Sequence, residues 1–135
     1  MNALDTNVLV RFFVDDPDDA QAAKQRPYAL QALSERCFVP ITVVLELEWV
    51  LRGFYELGPK DVARVLHALM SIEHITVERR DAVLGATQAM AAGLNFTDAM
   101  HVALSDRAAA FVTFDSRLAK RARKAQLSPA VLRLG

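Results

Sequence analysis

Four acidic side chains, Asp5, Glu46, Asp98 and Asp115, are the ones that simpler structural roles absorb least. Carboxylates held close together repel one another and take up protons unless a cation sits among them. A set of hard oxygen donors without His or Cys selects Mg²⁺ or Mn²⁺ rather than zinc. Asp5 ends a short apolar run, Ala3-Leu4, and is followed by the small polar residues Thr6 and Asn7. Asp115 repeats that pattern after Phe111-Val112-Thr113-Phe114 and before Ser116. In an open parallel α/β sheet, ligands gather at the carboxyl ends of the strands, where both acids would then lie. Helix N-capping is the competing role for each, and on either segment alone it is the stronger one. If the two strands are neighbours, however, their carboxylates stand side by side.

Glu46 and Glu48 share one apolar helical stretch but differ in surroundings. Glu48 has Arg52 four residues later, in the favourable orientation for an exposed helical ion pair. Glu46 has Thr42, Val43, Trp49 and Val50 as its three- and four-apart neighbours. An acid on that stripe faces the core unless the stripe borders a cleft, and burying it unpaired is costly. Glu46 is therefore the functional candidate, with pairing to an Arg at the core edge as the alternative. Asp98 falls in the first turn of a helix, where the helix dipole alone would favour an acid. Thr97 is a plausible cap there, which leaves Asp98 free to point into a cleft. His101, one turn on, sits among Ala, Met and Val and is assigned to packing.

Apolar runs of strand length alternate with longer stretches of helical period, the signature of a parallel sheet covered by helices. Strands are expected at residues 3–4, 37–39, 75–77, 110–114 and 131–133. A helix opens at Asp16-Pro17-Asp18-Asp19 and runs to about Arg36. Thr42 caps a helix through Tyr55 that stops near Gly58, and Pro59 starts another through Ser71. Further helices run from Arg80 or Asp81 to Gly93, from Thr97 to Arg107 and from Ser116 to Ala125. Val8, Leu9, Phe12 and Phe13 suggest a helix directly after Asp5.

At 135 residues the chain fits one domain, 1–135, large enough to bury about two-thirds of its unfolded surface. The 16 basic and 16 acidic residues balance, so no global positive field advertises a nucleic-acid partner. Such binding would have to rely on a local patch or a metal ion. Cys37 is the single cysteine and is expected as a free core thiol, which suits a reducing, cytoplasmic compartment. Residues 38–51, the most apolar stretch, are interrupted by Glu46 and Glu48, and no secretory leader pattern is present at the N-terminus. A soluble, unprocessed chain with no membrane partner is expected.

Taken together, Leu4-Asp5-Thr6-Asn7, Val43-Val44-Leu45-Glu46-Leu47, Phe96-Thr97-Asp98-Ala99-Met100-His101 and Thr113-Phe114-Asp115 resemble the acidic motifs of PIN-domain ribonucleases, most closely the VapC toxins of bacterial toxin–antitoxin modules. Each motif is weak alone, whereas the ordered set of four is specific and covers essentially the whole chain. The resemblance implies a three-layer α/β/α fold with a central parallel sheet in the order 3-2-1-4-5, in which the first and fourth strands bring Asp5 and Asp115 together. It adds Glu46 and Asp98 to the same cluster, with Thr6, Asn7 and Thr113 as supporting hydrogen-bonding groups. Many relatives carry a further acid where this chain has Asn95, which can offer a carbonyl oxygen but no charge, so one or two ions are expected.

The activity implied is metal-assisted hydrolysis of RNA phosphodiester bonds with Mg²⁺ or Mn²⁺. Single-stranded or loop RNA is the implied substrate. Arg11, nearly two turns after Asp5, and Arg117, Lys120 and Arg121 on the basic helix after Asp115 are candidate RNA contacts. A solvated charged helix is the simpler account of that basic cluster. Homodimerisation and a cognate antitoxin whose tail fills the active-site groove are likewise implied, with Trp49, Arg52, Phe54 and Tyr55 as candidate groove residues. Two rivals remain. Aspartyl-phosphate chemistry at Asp5 is disfavoured because haloacid-dehalogenase-type phosphatases use a second Asp where this chain has Asn7, and receiver domains need an acidic pair that is absent. A degenerate PIN scaffold that binds RNA or a protein partner without cleaving is the other.

Overall fold

The computed structural model describes residues 1–135, which divide into two compact units, Met1–Glu78 and Arg79–Gly135. In the first unit, β1 (Asn2–Ala3), β2 (Cys37–Val39) and β3 (Ile75–Val77) form a parallel sheet in the order β1-β2-β3. Each strand is two or three residues long, enough to cross only the centre of the core. A further backbone bond from Leu4 N–H to the Phe38 carbonyl (3.0 Å) carries the β1 pairing to the residue before Asp5. The connections are α1 (Thr6–Phe13) and α2 (Ala20–Leu33) between the first two strands, then α3 (Ile41–Gly53) and α4 (Pro59–Ser71) before the third. Leu9, Leu33, Val39, Val44, Leu47, Leu51, Leu66 and Leu69 are the centre of its buried apolar set.

In the second unit, α5 (Arg80–Ala91) and α6 (Phe96–Ala103) pack together, and β4 (Ala110–Thr113) pairs parallel with β5 (Ala130–Arg133) across α7 (Ser116–Lys124). Val83, Ala86, Phe96, Met100, Val102 and Leu118 are buried there. Seven helices alternating with short parallel strands are what the alternating periodicity predicts. The orders 3-2-1 and 4-5 appear within the respective units.

Several boundaries move for identifiable reasons. The helix expected from Asp16 starts at Ala20, because Asp19 is its cap and accepts the Ala22 N–H at 3.1 Å. It ends at Leu33 rather than Arg36, where the chain must turn into β2. Thr42 is not the cap of α3. Pro40 occupies that position without a capping side chain, and Glu78 accepts the Ile41 N–H at 3.0 Å instead. Thr97 does not cap α6 either; Asn95 does, and the helix ends four residues before Arg107, at Ala103.

Candidate active site

In the first unit a cleft of about 480 Å³ opens where the end of β1 meets α1 and α3. Asp5, Thr6, Asn7 and Arg11 line one side, and Glu46, Val50, Phe54 and Tyr55 the other. Asp5 is exposed and acts as the N-cap of α1, accepting the Thr6 N–H at 2.7 Å through Oδ1. N-capping is therefore real, and it leaves the second carboxylate oxygen without a protein partner.

Thr6 is 5% exposed, and its hydroxyl is the one buried side-chain polar atom with no hydrogen-bond partner. An unsatisfied buried hydroxyl costs roughly 1–3 kcal/mol. Thr6 is among the residues that line the cleft next to Asp5, while its hydroxyl oxygen is itself closed off from solvent.

Glu48 sits in the opposite surroundings from those expected of an exposed ion pair, whereas Glu46 borders a cleft. Val44, Leu47, Glu48 and Leu51 are the buried residues of α3, spaced i, i+3, i+4, i+7, so Glu48 lies on the core stripe. Glu48 is 1% exposed rather than on the surface, and it is held by Arg52 at 2.8 Å and 3.4 Å. Glu46, two residues earlier, is turned away from that stripe and is exposed in the cleft. Of its apolar neighbours, Trp49 is 61% exposed and belongs to no core stripe. Val50, by contrast, lines the cleft with Glu46. Of the expected groove aromatics, Phe54 and Tyr55 line this cleft and Trp49 does not.

Arg11 is the cation of the cleft. Its Nε donates to Gln25 Oε1 at 2.9 Å and its Nη1 to the Tyr55 hydroxyl at 3.5 Å, and it pairs with neither Asp5 nor Glu46. Gln25 lies mid-helix in a stretch of mixed polarity and gave no signal in the sequence.

The second unit holds a smaller recess of about 210 Å³ with Asn95, Asp98, Asp115, Arg117 and Arg121 in its wall. Asn95 Oδ1 accepts the Thr97 and Asp98 N–H groups at 2.9 and 3.3 Å, so its carbonyl is occupied by the α6 cap. Asp115 caps α7 in the same way, with Oδ1 taking the Arg117 and Leu118 N–H groups, both at 3.0 Å. Thr113 Oγ1 accepts the Asp115 N–H at 3.0 Å and fixes the turn between β4 and α7. Arg121 reaches the Gly93 carbonyl at 2.8 Å. Lys120 is exposed and stands outside the recess wall. His101 is an exposed residue stacked on Phe111, with ring centroids 6.4 Å apart, rather than a packed, hydrogen-bonded one.

Ion pairs form elsewhere, at Glu48, Asp61, Asp81, Asp106 and Asp15, while Asp5, Glu46, Asp98 and Asp115 have none. No three or more His, Cys, Asp or Glu side chains form a closed metal cage. The carboxylates come instead as a pair in each unit. Mg²⁺ keeps several waters and takes one or two carboxylates plus substrate phosphate oxygens, so an all-oxygen pair beside an unsatisfied Thr hydroxyl fits that ion.

The sequence profile described as the PIN domain matches residues 3–124. Over 78 residues the chain is 30% identical to a VapC ribonuclease from Aquifex aeolicus (strain VF5), covering 58% of this chain and 58% of that protein. The parallel sheets and seven helices agree with the three-layer α/β/α architecture expected of the family. No helix is long and apolar enough to cross a membrane.

Proposed function

Because this chain belongs to the PIN domain family, we propose that it is a Mg²⁺- or Mn²⁺-dependent endoribonuclease and the toxin of a toxin–antitoxin pair. The observation that carries the reading is the cleft in which Asp5 and Glu46 lie free of any ion pair beside the unpartnered Thr6 hydroxyl. Asp98 and Asp115, equally unpaired, complete the proposed ligand set on the strength of the family's ordered motifs. One or two ions, when bound, supply Lewis-acid stabilisation of the phosphate and acidify a bound water.

The chain's own residues then have separable tasks. Asp5, Glu46, Asp98 and Asp115 provide the hard oxygen donors, and one of them accepts a proton as water attacks phosphorus and the bond to the leaving oxygen breaks. The caps built on Asp5 and Asp115 hold those carboxylates in one orientation. Thr6, Asn7 and Thr113 support them. Arg11, Arg117, Arg121 and Lys120 offer cationic contacts to the RNA backbone. A single PIN domain spanning 1–135, a homodimer, a cytoplasmic location and an antitoxin partner belong to the same proposal. The relative named a VapC ribonuclease supports it over the part of its length that aligns.

RNA cleavage with Mg²⁺ or Mn²⁺, compared with EDTA and with Asp5→Asn, is the test. Metal-dependent cleavage lost in the variant is expected, and undiminished cleavage by Asp5→Asn would sink the metal-site reading. Wild-type protein that cleaves no RNA would favour a binding-only scaffold, a reading that the engagement of the Asn95 carbonyl in a helix cap keeps in view.

A further inference from the structure

We propose that the cavity between α1 and α2 is a nucleobase subsite for the RNA strand held in the neighbouring cleft, with Tyr28 as its stacking platform; this rests on the ribonuclease reading above. The cavity measures about 400 Å³ and shares Asn7 and Arg11 with the cleft that contains Asp5 and Glu46. Gln25, Tyr28, Ala29 and Ala32 line it at the spacing i, i+3, i+4, i+7, which is one face of α2 turned toward α1. Such a face normally carries large aliphatic side chains that close the gap between two helices. Here two alanines, Ala29 and Ala32, leave it open, and the other two positions carry an aromatic ring and an amide.

Tyr28 is 73% exposed, and its ring stacks on no other ring of the chain. Unstacked bases of single-stranded RNA are held on such faces and read along their edges by amide and guanidinium groups. Gln25 spends its carbonyl oxygen on Arg11 Nε at 2.9 Å, which leaves its amide N–H₂ to donate to a base edge. Arg11 has five N–H donors by nature, of which the contacts to Gln25 and Tyr55 use two, so the remainder can hold a phosphate between the two cavities. Arg11 thereby links phosphate position to base position, and α2 becomes the element that selects the nucleotide beside the scissile bond.

Two measurements on the full chain test the subsite. Adenosine, guanosine, cytidine and uridine 5′-monophosphates are titrated in EDTA, and amide shifts are followed at Val8, Ala29 and Ala32. Saturable shifts with at least one of the four, weakened in Tyr28→Ala and restored in Tyr28→Phe, are expected; Asp5→Asn should bind the same nucleotide. Absence of shifts with all four overturns the proposal, whether or not the chain cleaves RNA. In cleavage of a randomised RNA, Tyr28→Ala should raise KM about tenfold, the size of effect associated with losing a stacking platform, and flatten base preference beside the cut. An unaltered KM and preference in that variant would also overturn it. A chain that binds a nucleotide here but never cleaves RNA would leave the subsite standing and remove the nuclease reading.

Discussion

Thr6 donates its backbone N–H to the Asp5 carboxylate at 2.7 Å, while its own hydroxyl, buried and closed off from solvent, has no partner. One residue thus orients the acid and stores an unmet hydrogen-bonding demand. Replacing that hydroxyl with a methyl group of similar shape removes the demand without opening a cavity. Thr6→Val should therefore stabilise the metal-free chain by about 1 kcal/mol in urea unfolding with EDTA, and should lower metal-dependent cleavage. Thr6→Ser should keep wild-type cleavage. A Val variant less stable than wild type would show that the hydroxyl is satisfied after all.

Asp5→Asn and Glu46→Gln remove charge without changing shape, and both side chains are exposed, so the fold should tolerate them. Each is expected to reduce cleavage by about a hundredfold or more, the scale associated with losing a group that stabilises transition-state charge. Chelation with EDTA should abolish cleavage in the wild type, and Mn²⁺ should restore it. Wild-type rates in Glu46→Gln would remove Glu46 from the ligand set.

Glu48 is a structural acid, and its variants should separate from those of Glu46. The hydrogen bond and charge of Glu48 push the Arg52 guanidinium above its ordinary value. Arg52→Ala strands a buried carboxylate and should cost about 2–3 kcal/mol, the low side for a broken buried pair because Arg52 is half in water. Glu48→Leu, which removes the charge and keeps the volume, should cost less. Denaturant midpoints for the two variants check this, and equal costs would mean that packing rather than charge dominates.

Asn95 separates capping from coordination. Asn95→Ala should cost about 1 kcal/mol through loss of the α6 cap. Asn95→Asp keeps an acceptor for the Thr97 and Asp98 N–H groups and adds a charge beside Asp98. It should preserve stability and tighten Mn²⁺ binding severalfold, read by calorimetric titration. Unaltered Mn²⁺ affinity would place this recess outside the metal chemistry.

Burial, reinforced by the charge of Glu35, pushes the Cys37 thiol up from its ordinary value. Because its folded-state value lies above the unfolded one, the neutral thiol's contribution to stability is fully present below the ordinary thiol range. It is lost as pH rises through the raised value. Stability should therefore be flat through neutrality with respect to this group and fall on the alkaline side. Iodoacetamide at mildly alkaline pH should label Cys37 slowly until denaturant is added, as mass spectrometry would show. Rapid labelling of the folded chain would contradict the burial.

Much of this was legible in the residue order. Cys37–Val39, Pro59–Ser71 and Ile75–Val77 were readable to the residue, because apolar runs bounded by turn formers and a proline at a helix start are strong local signals. The caps were less legible. Thr42 and Thr97 are good capping types, but Glu78, distant in sequence, and Asn95, two residues earlier, satisfy the N–H groups in question. The face of α3 was misjudged at Glu48 because its pairing with Arg52 was read as a surface ion pair, although Val44 and Leu51, its four- and three-apart neighbours, are buried on the same stripe.

By itself the sequence determined the alternating α/β pattern, the strand-end placement of Asp5 and Asp115, and the carboxylate type of the side chains found there. These depend on local periodicity and on side-chain type, which a chain carries before it folds. Only tertiary structure decided that Glu46 shares a cleft with Asp5 while Glu48 is sealed in the core, and that Asp98 and Asp115 share a recess. It also decided that Thr6 keeps an unpartnered hydroxyl and that α2 leaves a cavity beside Arg11. Those outcomes turn on which face of a helix meets its neighbour, a matter of about 100° per residue along the helix. The packing of distant side chains settles that rotation, and no residue's identity encodes it alone.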